Sequence, residues 1–406
     1  MTSPPETDLP DDIAPPWTIE GHRDPHPWFA RMLAERPIAY DPRADVWHLF
    51  RLTDVQAFYR EPEDWSTARR LERLPPEQRF VRLLTSDPPL HQSLRLFFSH
   101  AYRPRRIERM VPRMRRVCAK LIDEALERGR LDVSADLASP LAATMIRDLI
   151  GVPEEDERRF PVLHGTLGHL ESADDPDASM SLYMGGTEAE DQRAVSAYFE
   201  ELVARRRAAP EDDMVSDLAR IPADRFEERL DVGALLNEQL GAGQNTTMHL
   251  IGNMLWRLLE HPGELAKLRE RPELAESTVD ETLRHSSPLQ ARPRVSARPL
   301  RIHGIEIPDG ATGLGWIQAA NLDPEAFPEP HRFRIDRSPN HHIAFGYGEH
   351  FCLGAWLARR AARVTLEEWI TRVGSFEALD PEGIEPIPDF LVRGPSALHV
   401  TVKPRT

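Results

Sequence analysis

One stretch constrains the fold of this chain more than any other. Residues 230–260, LDVGALLNEQLGAGQNTTMHLIGNMLWRLLE, form one largely apolar run with helical signals and no proline. At about 1.5 Å per residue, roughly 30 residues reach about 45 Å, longer than a small domain is wide. His261-Pro262-Gly263 then stops the helix. So long and apolar a helix predicts a path through the centre of the molecule.

The flanking segments agree with one fold built around it. Residues 90–290 carry mainly helical signals, broken at Gly129, Pro153, the acidic Asp174-Asp175-Pro176-Asp177 loop and Pro210. PIAYDPRADVWHLFR reads as two short strands around Asp41-Pro42-Arg43, and short strands and turns run from Ser286 to about Phe333. A helix follows Cys352, and strands close the chain. With no internal repeat and no long linker, we expect one mainly α fold with smaller β regions over residues 17–406. Residues 1–16 are acidic and proline-rich and read as a loose tail.

Composition narrows the function classes. A net charge of -15 argues against nucleic acid as a general partner. Two cysteines, Cys118 and Cys352, exclude a disulfide framework and a cysteine-rich zinc site. No run approaches the ~20 apolar residues of a membrane span, and the first residues lack a signal peptide's basic start and apolar core. These features together lead us to expect a cytoplasmic protein without a membrane partner.

The chemistry concentrates around Cys352 in HHIAFGYGEHFCLGAWLARRAARV. Gly346, Gly348 and Gly354 let backbone approach a bulky planar ligand and adopt positive φ. An amphipathic helix starts directly after the cysteine, and its N-terminal N–H groups favour a thiolate. Such a thiolate suits haem iron as an axial ligand. Two other readings stand beside this one: a buried inert cysteine, and a nucleophile with His350 as its base. Cys118, in RMRRVCAKLIDEAL, reads as a small core or surface residue.

The run from Phe345 through Gly346, His350 and Cys352 to Gly354 resembles the haem-binding signature of the bacterial cytochrome P-450 family. Other matches extend over nearly the whole chain. Glu281 and Arg284 match the family's ExxR pair, and Arg332, in FPEPHRF, matches the arginine that completes the triad. Asp87-Pro88-Pro89-Leu90-His91-Gln92-Ser93-Leu94-Arg95 resembles the family segment whose His and Arg reach a haem propionate. Arg294, His342 and His350 match further positions near the haem. Of these, Arg95, Arg294 and His342 are the first candidates, and His91 and His350 the second. The resemblance implies the cytochrome P-450 fold, haem b with an axial thiolate, and O2 as co-substrate.

Mid-helix GAGQNTT resembles the family's oxygen-side element, with Thr246 at the position of the threonine that serves bound oxygen. The small residues predict a local distortion of the helix. Where the family carries an acid, this chain has Asn245, whose amide can orient water but cannot relay a proton. Glu238 lies about two turns, ~10.5 Å, earlier on the same face. It is a candidate for a water chain, for a cationic substrate group, or for a structural salt bridge. By resemblance the substrate pocket is lined by residues 164–170, Glu238, Ala242, Leu289, Gln290, Ala291, Phe390, Leu391 and Val392. Glu238 and Gln290 give a lean toward an amine- or amide-bearing, amino-acid-derived substrate, free or carrier-tethered.

Arg103, Arg105, Arg106, Arg109, Arg113, Arg115 and Arg116, with Arg359 and Arg363, suggest an electropositive docking patch. By resemblance its partner is an acidic ferredoxin with a ferredoxin reductase. The leading expectation is a haem-thiolate monooxygenase of bacterial secondary metabolism. Aromatic coupling, nitration or peroxide-driven oxidation, motivated by Asn245, is the enzymatic alternative. A non-catalytic haem scaffold is the other.

Overall fold

A computed structural model describes residues 9–10, 12–73, 82–159, 189–221 and 231–405. The expected pocket segment 164–170 and the acidic loop 174–177 lie outside the described residues. The helices that matter for the site are α1 (His26–Glu35), α2 (Leu52–Arg60), α3 (Leu90–Ala101), α4 (Pro104–Arg128), α5 (Ser139–Ile150), α6 (Ala189–Ala208), α7 (Val232–Glu260), α8 (Pro262–Glu270), α9 (Ala275–His285) and α10 (Ala355–Arg372).

The long apolar stretch is α7. Asp231 caps its start by accepting the Ala234 N–H at 2.8 Å. At its other end Pro262 cannot continue the ladder and instead opens α8. Residues such as Leu236, Leu240, Ile251 and Met254 are buried around its circumference, as expected of a central helix. It packs against α5, α6, α9 and α10. Glycine sets the first of these contacts: a Cβ on Gly243 would lie 2.6 Å from Ile146 Cδ1. The expected distortion at residues 241–247 does not occur. α7 is continuous there, and the Thr246 hydroxyl donates to its own helix at Ala242 O, 2.8 Å away.

The strands are β1 (Ile38–Asp41), β2 (Val46–Leu49), β3 (Trp65–Ser66), β4 (Arg130–Asp132), β5 (Ala291–Ser296), β6 (Leu300–Ile302), β7 (Ile305–Ile307), β8 (Thr312–Trp316), β9 (Val373–Ala378) and β10 (His399–Pro404). One sheet runs β1-β2-β8-β5-β3, a second β4-β10-β9, and β6-β7 is a hairpin. The larger sheet is antiparallel except where β2 meets β8. Its Trp316, with Trp28 and Phe29 of α1, forms a core separate from the helical one.

That second core shortens the expected tail. Leu9 is buried in it, and Ile13 and Trp17 pack against it, because α1 and the sheet present an apolar face that these side chains cover. Cys118 is wholly buried between α4 and α10, its thiol pushed up to about 12 by burial, and belongs to the core. Among the described residues no helix is long and apolar enough to cross a membrane.

Candidate functional site

The loop before α10 bends twice through the left-handed region, at Gly346 (φ 75°) and Gly348 (φ 72°), where glycine carries no Cβ penalty. Gly348 also lets the loop pass against α2, since a Cβ there would meet Arg60 Cα at 2.7 Å. Cys352 N–H donates to Phe345 O at 2.9 Å, which closes the loop and turns the thiol into a cavity. Burial pushes this thiol up, opposed by the Gly354 N–H and by the charges of Arg95, Arg292 and Arg359. Metal coordination deprotonates a thiol outright.

The cavity spans about 1580 Å³ counted out through its open mouth. Phe345, Gly346, Cys352, Gly354, Leu357 and Ala358 form its floor. Gln239, Ala242, Gly243, Thr246, Thr247 and Leu250 form its roof, all from one side of α7. Leu83, Leu84, Ile146, Leu289 and Ile317 contribute apolar walls.

At one edge stand Arg95, Arg294, His91 and His350. The two imidazole centroids are 3.9 Å apart. Both ring nitrogens of His91 and Nε2 of His350 are buried and find no hydrogen-bond partner among the described residues. Burial first, then the charges of Arg294, His91 and Arg95, push His350 down to about 2. Burial likewise lowers His91. Arg294 Nη1 donates to Trp65 O at 3.0 Å, and Arg95 Nη2 to Phe351 O at 2.7 Å. Two guanidiniums and orphaned imidazoles call for an anionic acceptor. A haem offers two carboxylates there, a flat macrocycle over the glycine-lined floor, and an iron for the thiol. The residues present fit that group.

Several expected residues stand elsewhere. His342 does not face the cavity. Its Nδ1 accepts the Ala344 N–H at 3.2 Å and its Nε2 lies 3.3 Å from Asp280 Oδ1, so it braces the cysteine loop against α9. Arg359 joins the same carboxylate at 2.8 Å. The third member of the ExxR cluster is Arg337, not Arg332. Arg337 Nε lies 3.2 and 3.1 Å from the two Glu281 oxygens, in a pocket that exposes neither side chain. Arg332 is exposed and pairs with Glu329 at 3.3 Å, offering the cluster only its carbonyl. Spacing could not choose among Arg332, Arg334 and Arg337 on one irregular loop.

The expected substrate pocket shrinks as well. Ala242 and Leu289 line the cavity; Gln290, Ala291, Phe390, Leu391 and Val392 are buried behind it. Gln290 Nε2 donates to Phe390 O at 2.8 Å, and Ala291, Phe390 and Leu391 belong to the sheet core. Glu238 is not part of the cavity lining. Its two oxygens accept the N–H groups of Leu83 and Leu84 at 3.0 and 3.1 Å, and burial raises its pKa. Asn245 is buried off the cavity wall, its Oδ1 without a partner among the described residues.

The arginine cluster is largely neutralised. Arg106 pairs with Asp212 and Asp217, Arg109 with Asp212, Arg113 with Asp148, and Arg115 with Glu367 and Glu368. Arg359 and Arg363 meet Asp280 and Glu276. Arg103, Arg105 and Arg116 are exposed, as are the apolar Leu96, Phe351 and Trp356. Arg70 and Arg292 were missed. Both line the cavity, and Arg292 was within reach of strand alternation, two residues from Arg294.

The family profile described as cytochrome P-450 matches residues 61–401. Cytochrome P-450 109 of Bacillus spizizenii is 32% identical over 383 residues, covering 93% of this chain and 92% of that protein. Cytochrome P-450 monooxygenase PikC of Streptomyces venezuelae is 34% identical over 391 residues, covering 93% and 91%. Among solved structures, P-450 BioI, in complex with acyl carrier protein ligated by hexadec-9Z-enoic acid, superposes with a TM-score of 0.83 at 28% identity, covering 94% of this chain and 99% of that one.

Proposed function

The chain belongs to the cytochrome P-450 family, and from that premise we propose that it is a ferredoxin-dependent monooxygenase holding haem b on Cys352. Membership makes it an oxidoreductase that uses haem-thiolate iron, O2, a redox partner and a small organic substrate. The observation that carries the site reading is the convergence on one cavity of the Cys352 thiol, the Thr246 roof and the Arg95, Arg294, His91 and His350 edge.

When bound, the haem supplies the oxygen-activating chemistry. Cys352 would hold the iron, and Arg95, Arg294, His91 and His350 the propionates. The protein's own work is to position and to exclude water. The Thr246 hydroxyl lines the cavity, donates to Ala242 O and keeps its lone pairs for a hydrogen bond from the cavity. Asn245 and Glu238, both off the cavity lining, leave Thr246, water and the substrate as the proton route. With Asn245 outside the cavity, nothing in its placement favours coupling or nitration over oxygen insertion.

The ferredoxin reading rests on the exposed Arg103, Arg105 and Arg116 and on the exposed apolar Leu96, Phe351 and Trp356. Cytoplasmic location and a role in secondary metabolism complete the proposal. A carrier-tethered substrate has one parallel, in P-450 BioI. The test is turnover with an acidic ferredoxin, its reductase and labelled dioxygen. One labelled oxygen atom in the product supports the reading. Unlabelled product, or turnover with peroxide alone, overturns it.

A further inference from the structure

Several hydroxyls lining the cavity give their protons to the protein itself. Tyr59 donates to Gly315 O at 2.6 Å, Thr67 to Leu84 O at 3.1 Å and Thr246 to Ala242 O at 2.8 Å. Tyr102, in the turn between α3 and α4, also lines the cavity and donates to Gln239 Oε1 at 3.0 Å. Burial first, then the charges of Cys352 and Glu238, push its phenol up, so the proton stays on Tyr102 and the amide oxygen is the end that faces it. The Tyr102 ring also packs toward the floor, its Cε1 3.6 Å from where a Cβ on Gly354 would lie. One side chain thus joins floor to roof and fixes which way the Gln239 carboxamide is turned. The other end of that carboxamide is unanswered. Gln239 is only 6% exposed and lines the cavity from α7, yet its Nε2, with two N–H donors, has no acceptor among the described residues. A desolvated donor left unpaired is costly, so one that is kept calls for an acceptor from outside the chain. The haem carboxylates belong to the edge of Arg95, Arg294, His91 and His350. Gln239 stands apart, on the α7 face that also carries Ala242, Gly243 and Thr246. It precedes Thr246 by seven residues, two turns and about 10.5 Å along the axis.

We propose that the substrate carries an uncharged carbonyl that accepts a hydrogen bond from Gln239 Nε2, two turns of α7 away from the Thr246 hydroxyl. Gln239 is the specificity-determining residue. Tyr102 is a positioning residue, because it holds Oε1 and so leaves Nε2 to the cavity. This rests on the haem-thiolate reading and narrows the lean toward an amine or amide. An amide carbonyl qualifies, whereas an ammonium group would meet an N–H donor there.

The test uses the holoenzyme and imidazoles bearing straight tails of graded length, each ending in a methyl ketone or in its branched hydrocarbon twin. Imidazole is itself a metal ligand, so the Soret shift on titration gives affinity without knowledge of the substrate. At one tail length or more, the ketone-to-hydrocarbon affinity ratio should be about fivefold higher in the wild type than in Gln239→Met, the worth of one neutral hydrogen bond. Tyr102→Phe should lower the same ratio by a smaller factor, since the amide loses its anchor but keeps its donor. Hydrocarbon affinity should change little in either variant, which a merely structural role for the pair would not allow. Equal ratios in wild type and Gln239→Met at every tail length, or equal loss of ketone and hydrocarbon, overturn the proposal and leave the amide to water. Failure of the wild type to give the red-shifted carbon monoxide band would instead defeat the haem-thiolate reading, and this proposal with it.

Discussion

The support behind the cavity's floor and the roof above it are built from opposite materials. Beneath Cys352, charge is buried and locked. Glu281 receives Arg284 at 2.8 and 2.9 Å, Arg337, the Arg334 N–H and Asn340, while Arg284 also reaches the carbonyls of Asn321 and Pro330. Above, the cavity face of α7 is small and apolar apart from Gln239 and the hydroxyls of Thr246 and Thr247, and Thr246 bonds to its own helix. Fixed charges hold one geometry because every partner must stay desolvated and paired. A roof of shape and van der Waals contact can be recut without unpairing the floor. The floor suits an invariant task, holding a metal ligand, and the roof a variable one, selecting a substrate.

The sharpest break falls on the floor. Cys352→Ala should abolish the red-shifted Soret band of the reduced carbon monoxide complex, whereas Cys118→Ala should preserve it. Equal behaviour of the two variants would remove Cys352 from its role.

Next in size is the buried cluster. Arg337→Ala takes a buried donor from Glu281 and strips the carbonyls of Pro328, Glu329 and Arg332 of theirs, and should cost about 3–5 kcal/mol in urea unfolding. Arg332→Ala, exposed, should stay within about 0.5 kcal/mol. Similar losses in the two would reinstate Arg332 as the triad residue.

Acid should weaken the roof helix and the sheet region alike. Burial pushes His249 of α7 down to about 4, His48 of β2 to about 3, and, with Arg393, His22 to about 4. Unfolded histidine titrates near 6.5, so between that pH and these values the unfolded chain binds more protons. The stability is therefore complete above about 6.5 and is lost as pH falls, at about 1.4 kcal/mol per pH unit for each histidine. Denaturant midpoints measured from pH 7.5 to 5 should fall accordingly, and His48→Gln should flatten the slope. An unchanged slope would mean His48 is not held neutral.

The smallest structural effect belongs to the roof. Thr246→Ala should leave the carbon monoxide spectrum and the unfolding midpoint nearly unchanged and divert reducing equivalents to hydrogen peroxide. Peroxide formed per nicotinamide oxidised is the measurement. Unchanged coupling would leave the hydroxyl only its bond to Ala242.

Much of this was legible from sequence where the information is local. The length of α7 and its stop at His261-Pro262-Gly263 depend on neighbouring residues along one backbone. The loop of Gly346, Gly348 and Cys352 is equally local, since its bends need glycine at those positions whatever surrounds them. Tertiary structure alone decided which arginine meets Glu281, why His342 braces α9 rather than facing the cavity, and why Glu238 faces backbone amides while Arg70 and Arg292 line the cavity. Each of these turns on which side chain, among several on an irregular segment, is desolvated beside a distant partner. That choice is made by packing between elements far apart in the chain, and no spacing along the sequence records it.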